Sequence, residues 1–176
     1  MLELFNTLTR QKNQIIPYQK GIVRMYTCGP TVYRDAHIGN LRSYLMADWI
    51  KRSLIVLGNK VIHIKNITDV GHMRQEVLER GEDKVVAAAI ASGQTPQQIA
   101  DFYTKRFLND EKTLNILPAD EFPKATDHIM EMVEIVEELE RKKLAYQVEG
   151  NLYFNVNNFE KYGELSGNIH VNALLD

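Results

Sequence analysis

The chain has 176 residues, 44% of them hydrophobic and 25% charged, with a net charge of −2. That length supports one domain with a real core, or one domain and part of a second, and the near-neutral balance shows no broad basic surface of the kind nucleic-acid binders carry. A single cysteine excludes an intrachain disulfide and points to a reducing compartment. No apolar run approaches the ~18 residues that span a bilayer, and no secretory pattern opens the sequence, so a soluble cytoplasmic protein is expected.

In chain order, Leu2, Leu4, Phe5 and Leu8 precede a polar stretch around Pro17 and predict a short strand or turn on a domain edge. Ile22 to Thr27 reads as a buried strand, broken by the turn Cys28-Gly29-Pro30. A helix is expected from about Ile38 to Leu57, burying the rows Leu41/Leu45/Trp49 and Met46/Ile50/Leu54/Leu57, with Gly58 as a left-handed cap. Lys60 to Ile67 follows as a second strand. Strand, helix and strand in this span make a βαβ unit, hence an α/β fold on a parallel sheet, with ligands beyond the carboxyl ends of the strands. Cys28 and the segment Asn66-Ile67-Thr68-Asp69 should therefore face one crevice.

Two short helices are expected at 71–80 and 83–91, then a helix opened by the capping box Thr95-Pro96-Gln97-Gln98 and burying Ile99, Phe102, Tyr103, Phe107 and Leu114. A further helix from Thr126 to Leu144 carries Ile129, Met132, Val133, Val136 and Leu139 on one face, with Arg141-Lys142-Lys143 at its C-terminal end. Asn151 to Val156 reads as a strand, and the last twenty residues are weakly patterned.

The densest chemistry lies between the first strand and the first helix, in Tyr26-Thr27-Cys28-Gly29-Pro30-Thr31-Val32-Tyr33 and His37-Ile38-Gly39-Asn40. A helix N-terminus has unpaired N–H groups and partial positive charge, an anion site in waiting. His37 and Asn40 can donate hydrogen bonds, and Gly39 lets a ring or ribose approach. Taken alone, His37-x-Gly39-x fits a plain helix cap better than a site.

The longer pattern changes that balance. It resembles the class I aminoacyl-tRNA synthetases, whose HIGH signature stands here as His37-Ile38-Gly39-Asn40. Within that class it resembles the cysteinyl-tRNA synthetase family, through Tyr26 to Tyr33, Phe5 to Arg10, Asn66 to Asp69, Leu114-Asn115-Ile116 and Lys124 to Ile129. The resemblance covers essentially the whole chain. It implies a partial Rossmann-like (HUP-type) fold, with residues 1–115 as the first half of the nucleotide-binding catalytic domain and 116–176 as the start of an inserted α/β region. The implied activity is cysteine–tRNA ligase: cysteine and ATP form cysteinyl-adenylate, and cysteine passes to tRNA(Cys).

By the same resemblance, His37 and Asn40 are catalytic, Gly29, His37, Gly39 and Asn40 bind ATP, and Cys28, Gly29 and Thr68 bind the amino acid. ATP, Mg²⁺ and Zn²⁺ are the implied cofactors, cysteine and tRNA(Cys) the partners, in a monomeric cytoplasmic enzyme. Cys28 is the implied first zinc ligand, since zinc binds thiolate and so distinguishes cysteine from serine. Zinc needs three or four ligands, so that site is expected to be incomplete here. His63 reads as a core or surface histidine, His72 as a weak crevice candidate, and His128 and His170 as surface residues. Asp48 reads as an ion-pair or edge residue. Arg34 departs from the family, where an acidic residue is common. No Lys-Met-Ser-Lys-Ser-like loop occurs in the sequence, so this chain alone is expected to charge tRNA poorly or not at all. Two alternatives stay open: a cysteine-activating ligase with a small amine acceptor, and a non-catalytic paralogue that binds nucleotide or a partner protein.

Overall fold

The computed structural model describes residues 2–70 and 84–167. The chain forms two compact units, Ile16–His128 and Met1–Ile15 with Ile129–Asp176.

The first unit is built on β3 (Ile22–Thr27) and β4 (Lys60–Lys65), which pair in parallel from Ile22↔Lys60 to Thr27↔Lys65, with α1 (Ile38–Val56) between them in sequence. This is the expected βαβ unit. Residues 120–125 extend the pairing: Lys65 N–H donates to the Glu121 carbonyl (3.0 Å), Ile67 N–H to Pro123 (2.8 Å), and Ala125 N–H to Ile67 (3.0 Å). α2 (Lys84–Ser92) and α3 (Pro96–Thr113) pack against one another. The core gathers Val32, Tyr44, Ile67, Val85, Ala89, Ile99 and Phe107. The Thr95–Gln98 capping box forms as expected, with Thr95 Oγ1 accepting from Gln98 N–H and Gln98 Oε1 from Thr95 N–H.

The expected rows of α1 are met in part: Leu54 is buried, and Leu41 and Leu45 pack against the core. Met46, Trp49 and Leu57 are exposed, and the inward stripe is Tyr44, Ala47, Asp48, Lys51 and Leu54. The charged members are inward because the loop after α3 supplies partners: Asp48 accepts from Leu117 N–H (2.9 Å) and pairs with Arg52 (2.7 Å), while Lys51 donates to the Pro118 carbonyl (2.8 Å). Asp48 is thus an ion-pair residue, and a buried one. On α3, Ile99 and Phe107 are buried and Tyr103 packs on the core, but Phe102 and Leu114 are exposed. Gly58 has φ +83°, the left-handed cap expected after α1.

In the second unit, β1 (Glu3–Asn6) and β2 (Gln11–Gln14) form an antiparallel hairpin, as do β5 (Ala145–Val148) and β6 (Asn151–Phe154). Neither β2 nor β5 stood out in the sequence. The helix expected from Thr126 to Leu144 is a 3₁₀ turn at Ala125–His128 followed by α4 (Ile129–Arg141), with Ile129, Met132, Val133 and Val136 all substantially exposed. The helix expected at 71–80, with His72, lies outside the described residues, as does His170.

Candidate functional site

The site begins with how the β3–α1 connection is held. After Thr27 the chain turns through Cys28-Gly29-Pro30 and then runs beside Asn66–Thr68: Thr68 N–H donates to the Pro30 carbonyl (3.0 Å) and Val32 N–H to the Thr68 carbonyl (3.1 Å). Asn66 ties the turn down with its side chain. Its Oδ1 accepts from Gly29 N–H (3.0 Å) and the Tyr26 hydroxyl (2.9 Å), and its Nδ2 donates to Thr68 Oγ1 (3.0 Å). A Cβ on Gly29 would overlap the Asn66 carbonyl oxygen. The turn therefore requires glycine because the backbone of another strand end passes there, a reason that the sequence does not display.

At the head of α1, His37 is the N-cap. Its Nδ1 accepts from the backbone N–H of Gly39 (3.1 Å) and Asn40 (3.4 Å), while Asn40 Oδ1 accepts from His37 N–H (3.2 Å). Since Nδ1 accepts, a neutral ring carries its proton on Nε2. The cap therefore leaves His37 with an Nε2–H donor and Asn40 with its Nδ2 amide. A Cβ on Gly39 would come within 3.0 Å of His37 Cε1 and 3.1 Å of Nδ1, so glycine lets the imidazole fold back over the helix end. Capping and ligand binding are thus compatible here, because they use opposite ring nitrogens.

Between turn and helix lies an open pocket of about 240 Å³, lined by Gly29, Thr31, Arg34, Asp35, Asn40 and Tyr44 among others. Asp35 makes a bidentate pair with Arg106 of α3 (2.5 and 3.0 Å), which fixes the loop that forms the lip. Tyr44 stands two helical turns after His37 and contacts the pocket from the core side. That spacing was visible in the sequence, though Tyr44 was not singled out. Burial, then the charge of Glu111, then Cys28 push its phenol up to about 12, so it stays protonated.

Behind Tyr44, Lys65 is fully buried and ion-pairs with the buried Glu111. The Lys65 ammonium lies 4.9 Å from the Tyr44 ring centroid and 5.7 Å from that of Phe107. Burial pushes the Glu111 carboxyl up, against the downward pull of Lys65. His63 is a core histidine: its Nε2 lies 2.8 Å from Thr27 Oγ1, and burial followed by the charges of Lys65 and Lys51 lowers it to about 4. Its Nδ1 has no hydrogen-bond partner.

The structure thus brings Gly29 and Asn40 to one pocket, sets His37 and Gly39 at the helix end beside it, and ties Thr68 to the turn through Asn66. Asp69 is occupied elsewhere, its carboxylate accepting from Thr126 N–H (3.0 Å) and Oγ1 (2.6 Å). Cys28 is exposed. Among the described residues no group of three or more His, Cys, Asp or Glu is placed to hold a metal. Zinc requires three or four ligands, so the described residues do not by themselves make a zinc site.

The family model described as tRNA synthetases class I (C) catalytic domain matches residues 14–173. The chain belongs to this family. Within it, the chain is 46% identical over 173 residues to a Treponema denticola protein named cysteine–tRNA ligase, covering 98% of this chain and 35% of that one. Like-named proteins of Chlorobium chlorochromatii (44% identical, 98% and 36% covered) and Borreliella burgdorferi (43%, 95% and 34%) are similar. The chain spans about a third of the length of these curated relatives. Among solved structures it resembles the Agrobacterium radiobacter K84 agnB2 LeuRS in a ternary complex with tRNA and LeuAMS, with a TM-score of 0.58 at 20% identity over 74% of this chain and 16% of that one. At that identity the likeness speaks for the fold, and with the parallel β3–β4 pair it makes the first unit Rossmann-like α/β. No helix among the described residues is long and apolar enough to cross a membrane.

Proposed function

We propose that this chain carries the ATP- and cysteine-binding part of a cysteine–tRNA ligase, an enzyme that activates cysteine with ATP and passes it to tRNA(Cys). The observation that supports this best is the cap at the head of α1. It commits His37 Nδ1 and Asn40 Oδ1 to the backbone and leaves an imidazole N–H and an amide NH₂ beside an open pocket. Such fixed donors favour the charge that develops when the cysteine carboxylate attacks the α-phosphorus and pyrophosphate leaves, because they need no reorganisation as the charge appears. The dipole of α1 adds to the same effect.

In this reading His37 and Asn40 hold the phosphates, and Gly39 admits the nucleoside and seats the His37 ring. Gly29 and Thr68 shape the amino-acid end. Thr68 Oγ1 accepts from Asn66, so its hydroxyl proton is available to the substrate. Mg²⁺ enters with the triphosphate. Cys28 supplies at most one zinc ligand. The reading further takes residues 1–115 as the first half of the catalytic domain and 116–176 as the start of an inserted region, in a monomeric cytoplasmic enzyme. Poor charging of tRNA by this chain alone is part of the same reading, since the lysine-bearing second signature of the class is not among its residues.

Calorimetry with ATP and with a non-hydrolysable cysteinyl-adenylate analogue tests the proposal. Binding of both, weakened when His37 is replaced by Ala, is expected. A folded chain that binds neither would overturn it.

A further inference from the structure

Arg34 stands outside the roles assigned so far, and its sequence neighbours give it none. It lies at the pocket lip with its guanidinium carbon 5.2 Å from the centroid of the Tyr33 ring. The nearest carboxylate in sequence, Asp35, is engaged by both arms of Arg106. Among the described residues Arg34 takes part in no ion pair. The side chain is exposed. An arginine laid on an aromatic face keeps its planar fork of N–H donors while losing some rotational freedom, an arrangement suited to phosphate oxygens. The pocket it borders also receives Asn40, from the first turn of α1, where the dipole favours an anion. Two sources of positive potential therefore converge on one opening, one from backbone and one from a side chain.

We propose that Arg34 is a polyphosphate-binding residue of this pocket, contacting the phosphates of ATP beyond the first rather than the nucleoside. The inference rests on the nucleotide reading above and adds a residue and a selectivity to it. Arg34 favours the triphosphate over the monophosphate, because only the longer chain carries charge out to the lip. As an exposed residue on a loop, it contributes little to the fold.

The test is titration calorimetry of the full chain with ATP and with AMP, at fixed magnesium, for the wild type, Arg34→Met and Arg34→Lys. Methionine retains an apolar stem over Tyr33 without the donors, and lysine retains the charge without the fork. Arg34→Met should bind ATP about tenfold more weakly, the size of one lost charge-assisted hydrogen bond, with AMP affinity and melting temperature unchanged. Arg34→Lys should fall between. Equal losses for ATP and AMP, or wild-type ATP affinity in Arg34→Met, would overturn the assignment while leaving nucleotide binding intact. If the wild type binds neither nucleotide, the nucleotide reading fails and Arg34 loses this role with it.

Discussion

Replacing Lys65 by Met removes the cation from a buried pair and leaves Glu111 with no counter-charge within the core. Methionine nearly conserves volume, so the loss is electrostatic rather than a cavity. Unpaired, the Glu111 carboxylate does best to take up a proton, and that sets the size of the effect. With an unfolded-state pKa near 4.3, holding it neutral costs about 3–4 kcal/mol at pH 7 and only about 1 kcal/mol at pH 5. The sign follows from a folded pKa raised above the unfolded one: the variant recovers stability as pH falls. Removing Lys65 also relieves His63 on acidification, so the proper partner for comparison is Lys65→Met/Glu111→Met, which shares that change and lacks the carboxyl. Urea unfolding at pH 5 and pH 7 should show the single variant recovering about 2–3 kcal/mol relative to the double between those values. At pH 7 the double variant should be close to the wild type, since an apolar pair often replaces a buried ion pair at little cost. A single variant whose deficit against the double does not change with pH would refute the reasoning, because Glu111 would then not be titrating in a closed core.

Gly29→Ala forces a methyl group into the Asn66 carbonyl and should cost about 3 kcal/mol or more, at the severe end of overpacking, as read by urea midpoint. Gly39→Ala should leave stability nearly unchanged, since about 1 kcal/mol of helix propensity offsets about 1 kcal/mol of disturbed cap. Its effect should show in calorimetry as weaker ATP binding, because the alanine methyl displaces the imidazole. His63, held neutral with its pKa lowered to about 4, contributes stability that is complete above pH 6.5 and is lost as pH falls toward 4. Comparing wild type with His63→Gln across that window should give a difference that shrinks by about 3 kcal/mol.

The elements that depend on near neighbours were legible in the sequence. Strands Ile22–Thr27 and Lys60–Lys65, the helix from Ile38, the Thr95 cap and the turn at Gly58 each carry their cause within a few residues. What depends on distant partners was not. Asp48 and Lys51 turn inward because Leu117, Pro118 and Asp120 meet them some seventy residues later, and no helical periodicity encodes that. The need for glycine at position 29 comes from the Asn66 carbonyl, which fills the space a Cβ would take. The four-residue strands β2, which is wholly polar, and β5 are fixed by their hairpin partners rather than by a pattern of their own. At the candidate site, the positions of His37, Gly39 and Asn40 were readable, but not the division of labour between the two ring nitrogens, which is a property of the cap's geometry.

The central claim is that a nucleotide's phosphates settle on the N-terminal end of α1, against the turn after β3. A titration of ATP into the ¹⁵N-labelled chain, followed through backbone amides and the ring nitrogens of His37, tests it most directly. The account predicts saturable shifts at Gly29, Thr31, Gly39 and Asn40, with His37 Nε2 perturbed and Nδ1 still an acceptor. Saturable shifts confined to other surfaces, or none at all at these residues, would contradict it.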